Sequence, residues 1–450
     1  MERILYFRKN VRYKVYKRCV ILYNVYRFEE KIEMAGFTAR LLSFIDGKNT
    51  VEQVIDKFYK TANEEEQKYH VKEILDYLIE KDFLVFQNEE GYIASSIQKE
   101  PCLDFVNLRI TNRCNFKCIH CFPDSQGRGV EYTKEEIEDI INQLSEYKVV
   151  HITFTGGEPF LNKDLISLVR YANEKGMLVS ICTNASLIDD NAIEELQSCA
   201  IGALKISLDG CNADQHDTYR GAGKFDKLIP KIQKIIQAGI PVCINTVFSK
   251  INYKDYKEMA HFISELGPKE FAFDFIRNSG RASERWDELE ISNQDKIEII
   301  KYFEQFGKRM NGVILGSGVF SNIMQSSFCE ENVELACGVC INNVVILADG
   351  KMVPCWRLHD AGYYAGNIKD SSFEKIWSEA DVFQKIRSIK ISELEKCSRC
   401  QYSCMCDASC RGFALLQHSN WYGAPNTERC ELEFHKNSQK EASCLGAVVA

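Results

Sequence analysis

Six apolar runs alternate with amphipathic helical runs between residues 103 and 310, and this alternation constrains the fold most. In the clearest helical run, TKEEIEDIINQLSE, Thr133 and Glu136 have the spacing of a capping box. Six strand–helix units in series predict an α/β fold with a parallel sheet, closing as a partial (β/α)6 TIM-like barrel. Such barrels place their chemistry at the C-terminal ends of the strands. The predicted strands are FVNLRIT, VHITFT, MLVSICT, ALKISLD, VCINTVF and FAFDFI.

Residues 1–95 are predicted to form a smaller, separate domain. Two β-rich runs, YFRKNVRYKVY and RCVILYNVYRF, come first. Three runs with helical periodicity follow: FTARLLSFIDG, TVEQVIDKFYK and EEQKYHVKEILDYLIEKD. Gly47 is the expected stop of the first helix, and Thr50 is the expected N-cap of the second. FLVFQ and GYIAS fit a hairpin wing, so the unit is interpreted as a winged helix-turn-helix.

Twenty cysteines in a chain of 450 residues are the unusual feature of the composition. The N-terminus has scattered charges and no apolar h-region, and no apolar run is long enough to span a bilayer. The protein is therefore expected in the cytoplasm, where clustered cysteines indicate metal ligands rather than disulfides. The net charge of -8 gives no reason to expect nucleic acid or a membrane as a partner.

The loop Cys114-x3-Cys118-x2-Cys121 is the strongest chemical motif, and it directly follows the first predicted barrel strand. Thiolates are the preferred ligands of iron–sulfur clusters, and a cubane normally takes four of them. Three on one loop leave one iron open to a ligand from outside the protein. A structural zinc site is the alternative, and the position at the top of a barrel argues against it. His120 is a strained competitor of its neighbour Cys121 for a metal.

The second motif, Gly156-Gly157-Glu158-Pro159, ends the next predicted strand. Two glycines allow the backbone to approach a ligand closely, and Glu158 can accept a hydrogen bond from an ammonium group. Alone, this motif is more often a plain turn. It gains weight because the adjacent strand carries the cysteine loop, so both lie on the same face of the barrel.

With these two motifs in this order, the chain resembles the radical S-adenosylmethionine (SAM) superfamily. The resemblance implies a 4Fe–4S cluster on Cys114, Cys118 and Cys121 whose open iron is chelated by SAM. It also implies residues around SAM in two groups. The methionine amino end would be held by Gly156, Gly157, Glu158 and Pro159. The carboxylate and ribose would lie near Ser207 and Asp209 of the run ISLDG, and near Arg220.

More than half of the cysteines lie in residues 311–450, where the strand–helix rhythm is lost, and their spacing resembles the SPASM extension of radical SAM maturases. The resemblance implies two auxiliary 4Fe–4S clusters. One would use Cys337, Cys355 and Cys410, and the other Cys397, Cys400, Cys406 and Cys430. Cys340 is the expected fourth ligand of the first cluster, the alternative being an iron left open for a substrate thiolate. Two zinc ribbons are the alternative for the whole set, and Cys404 is interpreted as a spare thiol.

The N-terminal unit resembles the RiPP recognition element, which adds the leader of a ribosomally made peptide as a strand to its sheet edge. Residues 1–95 contain 16 basic and 16 acidic residues, so they lack the basic excess that binding of duplex DNA requires. Basic residues crowd the first strand pair, which would suit an acidic leader. The expected domains are 1–95 for recognition, 103–310 for the radical SAM barrel and 311–450 for the auxiliary clusters.

This layout resembles the maturases of sactipeptides and ranthipeptides. It implies a radical SAM oxidoreductase that cleaves SAM to a 5′-deoxyadenosyl radical and links a cysteine sulfur to Cα or Cβ of an acceptor residue. The implied partners are a precursor peptide and a reducing protein such as flavodoxin or ferredoxin. Three alternatives remain: a maturase forming a carbon–carbon or ether link, a sulfatase-type protein maturase, and a non-enzymatic redox regulator.

Overall fold

One ten-stranded sheet forms the body of the protein, and two three-stranded sheets lie in its N-terminal part, as seen in a computed structural model. Among the described residues, none of the helices combines the length and apolar character needed to cross a membrane. The structure describes residues 3–8, 11–15, 19–24, 27–86, 91–92, 103, 105–122, 131–147, 149–310, 313–315, 339–341, 343–360, 362–400 and 410–423.

The N-terminal part has two antiparallel sheets and three helices. In the described residues, β2, β3 and β4 form one sheet, and β5 and β6 flank β1 in the other. The helices cover them with a core of their own. The strands are β1 (Leu5–Arg8), β2 (Val11–Val15), β3 (Cys19–Asn24), β4 (Arg27–Ala35), β5 (Leu84–Phe86) and β6 (Gly91–Tyr92). The helices are α1 (Thr38–Ser43), α2 (Val51–Thr61) and α3 (Val71–Glu80).

Two local predictions for this part are wrong. In the described residues of these runs, FLVFQ and GYIAS do not pair with each other as a hairpin, because β1 lies between β5 and β6 and pairs with both. β1 takes the central position since Leu5 and Phe7 are fully buried. Helix α1 ends before Gly47, which lies in the following turn at φ +72°. The predicted capping by Thr50 is confirmed, because its side chain accepts from the backbone N–H of Gln53 at 3.3 Å. The winged helix-turn-helix stays a prediction.

The six predicted strands of the central region are present and lie side by side in sequence order. All five junctions between them are parallel. Thr133 caps α4 reciprocally with Glu136, as predicted. Closure into a partial barrel stays a prediction. The strands are β7 (Phe105–Thr111), β8 (His151–Gly156), β9 (Leu178–Thr183), β10 (Ile201–Ser207), β11 (Val242–Phe248) and β12 (Glu270–Phe275). The helices are α4 (Lys134–Glu146), α5 (Leu165–Glu174), α6 (Asp190–Gln197), α7 (Ala213–Arg220), α8 (Phe225–Gln237), α9 (Tyr256–Leu266), α10 (Trp286–Leu289) and α11 (Asn293–Phe306).

Segments after residue 310 extend the same sheet at both edges. β13 pairs with β12, while β14 pairs in parallel with β7 and continues antiparallel through β15 to β16. The sheet is therefore mixed. These strands are β13 (Ile314–Leu315), β14 (Asn343–Ile346), β15 (Lys351–Val353) and β16 (Gly366–Asn367). The helices of this part are α12 (Trp356–Asp360), α13 (Phe373–Glu379), α14 (Asp381–Ser388) and α15 (Arg411–His418).

The two faces of the central sheet differ in character. Alternate residues such as Leu108, Phe154, Ile181 and Leu204 are fully buried in the main core with the helices. Their neighbours along each strand project to the opposite face, which we call the inner face. There, Ala203, Cys243 and Ala272 form a separate small cluster. The inner face meets the strand ends where the cysteine motif lies.

Candidate functional site

The cysteine loop follows β7 at the C-terminal edge of the sheet, where the sequence predicts the chemistry. Cys118 is buried, and Cys114 and Cys121 are partly exposed. Burial raises the pKa of Cys114, and the nearby Cys118, Glu158 and Cys121 raise it further. Burial and the nearby Asp209 and Cys121 likewise raise the pKa of Cys118, against the effect of Arg220. The three thiols therefore lie close enough to sense one another's charge.

The Gly-Gly-Glu-Pro turn packs directly on the backbone of the cysteine loop. The N–H of Gly157 donates to the carbonyl of Thr111 at 2.9 Å, and the N–H of Glu158 donates to that of Arg113 at 2.8 Å. A Cβ on Gly157 would lie 2.9 Å from Cβ of Cys114 and closer still to the carbonyl oxygen of Arg113. The absence of side chains on the glycines thus lets the turn pack closely against the backbone of the cysteine loop. Contact of Gly156 and Gly157 with SAM stays a prediction.

Glu158 is fully buried and joins the turn to the end of β9. Its carboxylate accepts hydrogen bonds from the hydroxyl of Thr183 at 2.7 Å, the N–H of Asn184 at 2.7 Å and the N–H of Phe160 at 3.1 Å. Burial raises its pKa against these donors. A carboxylate offers about four acceptor positions, so one remains for the ammonium group that the sequence predicts. Pro159, the next residue along the chain, is also buried.

Asp209 and Arg220 form an ion pair that reaches the cysteine loop. The fully buried Asp209 accepts from Nε of Arg220 at 2.6 Å and from the N–H of Val247 at 2.8 Å. Nη1 of Arg220 lies 3.8 Å from Sγ of Cys118, and Nε2 of His120 lies 3.3 Å from the Asp209 carboxylate. Burial is the largest single influence on the pKa of Asp209 and acts to raise it, but the charge of Arg220, together with His120, His216 and the N–H of Val247, holds that pKa below its usual value.

The structure therefore directs Asp209 toward protein partners, where it positions Arg220. Ser207 ends β10 and is partly exposed on the inner face. The predicted contacts of Ser207, Asp209 and Arg220 with SAM stay predictions.

Several residues that hold the cysteine loop were missed by the sequence reasoning. Nε of Arg281 donates to the carbonyl of Cys118 at 2.8 Å, and its N–H donates to that of Cys121 at 3.2 Å. The amide of Asn115 donates to Ser186 at 2.8 Å and accepts from Asn184 at 2.9 Å. The loop is thus fixed from the ends of β8, β9, β10 and β12. The only signal available was the position of these residues just after predicted strands.

Four of the five described cysteines after residue 310 fall into two pairs. Burial raises the pKa of Cys355, and the nearby Cys410 raises it further; both thiols also act on Arg277, just after β12. Cys397 and Cys400 lie on one short turn, where the N–H of Cys400 donates to the carbonyl of Cys397 at 3.1 Å. The division of these cysteines between two clusters stays a prediction. Cys337, Cys404, Cys406 and Cys430 lie outside the described residues.

Cys340 is fully buried at a turn with φ +63°, and Nε of Arg387 donates to its carbonyl at 2.7 Å. Its role as a cluster ligand stays a prediction. Across the described part of the chain, no three His, Cys, Asp or Glu side chains are spaced for a single metal ion.

Comparisons with known proteins identify both parts of this site. Residues 108–263 match the radical SAM superfamily, and residues 337–401 match SPASM, an iron–sulfur cluster-binding domain. The AdoMet-dependent heme synthase of Methanosarcina barkeri is 28% identical over 69% of this chain and 91% of its own length. The mycofactocin maturase MftC of Mycolicibacterium smegmatis is 27% identical over 68% of this chain and 77% of its own.

Solved structures share the fold. Streptococcus suis SuiB bound to its precursor peptide SuiA has a TM-score of 0.71 at 16% identity, covering 94% of this chain and 99% of that one. The protein anSMEcpe with bound AdoMet has a TM-score of 0.62 at 18% identity, covering 77% of this chain and 100% of that one.

The chain is thus a SAM-dependent radical enzyme. It binds SAM, a SAM-binding 4Fe–4S cluster and auxiliary iron–sulfur clusters. The residues described above fit these groups: one loop offers three thiols and no fourth, and two further pairs of thiols lie after residue 337.

Proposed function

We propose that this enzyme installs thioether cross-links in a ribosomally synthesised precursor peptide that contains cysteine. The observation that carries the peptide substrate is the extent of the fold likeness to SuiB, and the thioether link follows from the resemblance of the domain layout to sactipeptide and ranthipeptide maturases. The likeness covers 94% of the chain, so it must include most of the residues before β7. Neither family match covers those residues, because the first match begins at residue 108. SuiB was solved with a precursor peptide, and MftC is a maturase. Both support a peptide as the substrate.

The N-terminal sheet offers the means to bind a leader peptide. In the order β2-β3-β4, the outer strand β4 is nine residues long and pairs with β3 alone among the described strands. An outer strand presents backbone N–H and C=O groups that a further extended chain can pair with. We assign leader binding to this domain. The basic residues that crowd the first strand pair would favour an acidic leader.

The chain's own residues would hold and orient the reactive groups. Cys114, Cys118 and Cys121 would bind the cluster, and the remaining acceptor position of Glu158 would orient the amino group of SAM. When bound, SAM and the cluster supply a 5′-deoxyadenosyl radical that removes hydrogen from Cα or Cβ of the acceptor residue.

Joining a cysteine sulfur to that carbon removes two hydrogen atoms from the peptide overall, so an electron acceptor is required. We assign this role to the auxiliary clusters. The pair Cys355 and Cys410 and the pair Cys397 and Cys400 would contribute ligands to them.

Co-expression with the small cysteine-containing peptides encoded beside the gene tests the proposal. The expected product has lost two hydrogen atoms per cross-link, and the linked cysteine no longer reacts with iodoacetamide. Fragmentation by mass spectrometry locates the link. The Cys118→Ala enzyme is the control for enzyme dependence, and a Cys-to-Ser peptide is the control for sulfur.

Two outcomes would contradict the thioether proposal. A product with the same mass loss but with all thiols reactive would indicate a carbon–carbon or ether link. Haem formation without peptide modification would favour the activity named for the heme synthase relatives.

A further inference from the structure

A row of polar side chains crosses the inner face of the sheet at one level. Cys182 is the register partner of Lys205, Lys205 of Cys243, and Cys243 of Glu270. On the other side, Arg109 pairs with Thr155, and the pairing of Phe154 with Ile181 puts Thr155 beside Cys182. Register partners on adjacent strands project to the same face. We call this set the polar row: Arg109, Thr155, Cys182, Lys205, Cys243 and Glu270.

The polar side chains of this row are not explained by the stability of the sheet. Parallel strands covered on both faces are usually apolar throughout. Here the residues before them along the strands, including Leu108, Phe154, Ile181 and Leu204, are fully buried and apolar, while this face carries charges and thiols. Lys205 lies two residues before the end of β10, so the row lies about 7 Å below the strand ends that hold the cysteine loop.

Lys205 stands in the middle of this row without an ion-pair partner. No described residue accepts a hydrogen bond from its Nζ or lies within ion-pair distance, and its side chain is partly exposed. Its charge nevertheless acts on its neighbours: burial raises the pKa of both Cys182 and Cys243, and Lys205 acts against that rise. Charged groups near the strand ends differ from Lys205 in having ion-pair partners: Asp209 pairs with Arg220, and Asp274 pairs with Arg277.

A partly buried cation that has no carboxylate partner attracts an anion. Glu270, the carboxylate of the row, is kept one strand further away by Cys243. The position below the cysteine loop is where a substrate must lie to be near the reacting groups.

We propose that Lys205 binds a carboxylate group of the substrate on the inner face of the sheet. Lys205 is a positioning residue in this role, because it fixes the substrate beneath the cysteine loop. The identity of the substrate as a peptide rests on the proposed function, whereas the existence of the anion site does not.

The neighbouring thiol of Cys182 allows a test that needs no knowledge of the substrate. Cys182 is partly exposed, so it can be alkylated in the folded holoenzyme and located by peptide mapping. Iodoacetate carries the proposed carboxylate, and iodoacetamide is its neutral match. Both reagents need the same thiolate, so the ratio of their rates cancels any change in the pKa of Cys182.

Lys205→Met is expected to lower the iodoacetate to iodoacetamide rate ratio by about fivefold, since it removes one unit charge near the thiol. Lys205→Arg should retain the ratio, because it keeps the charge. Lys227→Met is the matched control, as Lys227 is exposed on α8. An unchanged ratio in Lys205→Met would overturn the proposal, and so would a Cys182 that neither reagent modifies in the folded protein.

A second arm identifies the source of the carboxylate once a modified precursor is in hand. Amidation of the peptide C-terminus tests the terminal carboxylate, and Asp→Asn or Glu→Gln replacements test acidic side chains. Removing the carboxylate that Lys205 binds should raise KM in the wild-type enzyme. The same removal should have little further effect in Lys205→Met. If every carboxylate removal changed KM equally in the wild-type enzyme and in Lys205→Met, the proposal that Lys205 binds the substrate would be overturned. Failure to modify any peptide, with the alkylation ratio still dependent on Lys205, would refute the proposed function and leave the anion site standing.

Discussion

Gly157→Ala is the smallest change that should disable the cysteine loop. The added methyl would lie 2.9 Å from Cβ of Cys114 and closer still to the carbonyl of Arg113, which is backbone and cannot rotate away. Relief requires the turn and the loop to separate, which breaks the two backbone hydrogen bonds from Gly157 and Glu158. Overpacking of this kind costs about 1–3 kcal/mol, and each lost hydrogen bond about 0.5–1.5 kcal/mol.

The closed arrangement of loop and turn should therefore be destabilised by about 2–6 kcal/mol. Since 1.4 kcal/mol is a factor of about ten, its population falls by at least roughly 30-fold. The assay is 5′-deoxyadenosine formation from SAM under reducing conditions without peptide, with iron content measured on the same sample.

Gly239→Ala is the matched control for this prediction. Gly239 has a positive φ, +77°, and nothing lies within 4 Å of its added Cβ. The substitution therefore carries only the backbone strain of about 1–2 kcal/mol, and SAM cleavage should persist. Normal iron content and normal SAM cleavage in Gly157→Ala would refute the reasoning that close packing of the turn shapes the cysteine loop.

Three further predictions follow from the site. Cys118→Ala should abolish SAM cleavage because two thiols cannot hold a cubane, whereas Cys400→Ala should still yield 5′-deoxyadenosine but no cross-linked peptide; equal loss in both variants would remove this division of labour. Deleting residues 1–95 should abolish leader binding, measured by fluorescence anisotropy, with substrate-free SAM cleavage retained; unchanged affinity would place recognition elsewhere. Cys340→Ala should lose about four irons per chain if this thiol completes a cubane. Full iron content with normal turnover would mean that the iron is open to a substrate thiolate.

The sequence predicted best what local pattern determines. The strands β7 and β11 have the predicted bounds, and the caps at Thr50 and Thr133 form as expected. Period-two apolar alternation and capping chemistry act within a few residues, so they can be read without knowing the partner. The spacing of Cys114, Cys118 and Cys121 is equally local.

Long-range contacts explain most of what the sequence could not predict. Arg281 reaches the loop from 163 residues away, and Asn184 from 69. The pairing of β5 and β6 with β1, rather than with each other, depends on a strand from the start of the chain. β13 and β16 have only two residues each, too few for a periodic signal. The polar row becomes visible only when the register of the strands is known.

The most direct test of the central claim follows a hydrogen atom from the peptide to SAM. A precursor deuterated at Cα and Cβ is incubated with the reduced enzyme and SAM, and the 5′-deoxyadenosine formed is analysed by mass spectrometry. The account predicts that the 5′-deoxyadenosine contains deuterium and that the peptide has lost it at the cross-linked carbon. Turnover of SAM with the peptide fully modified but no deuterium in 5′-deoxyadenosine would contradict it.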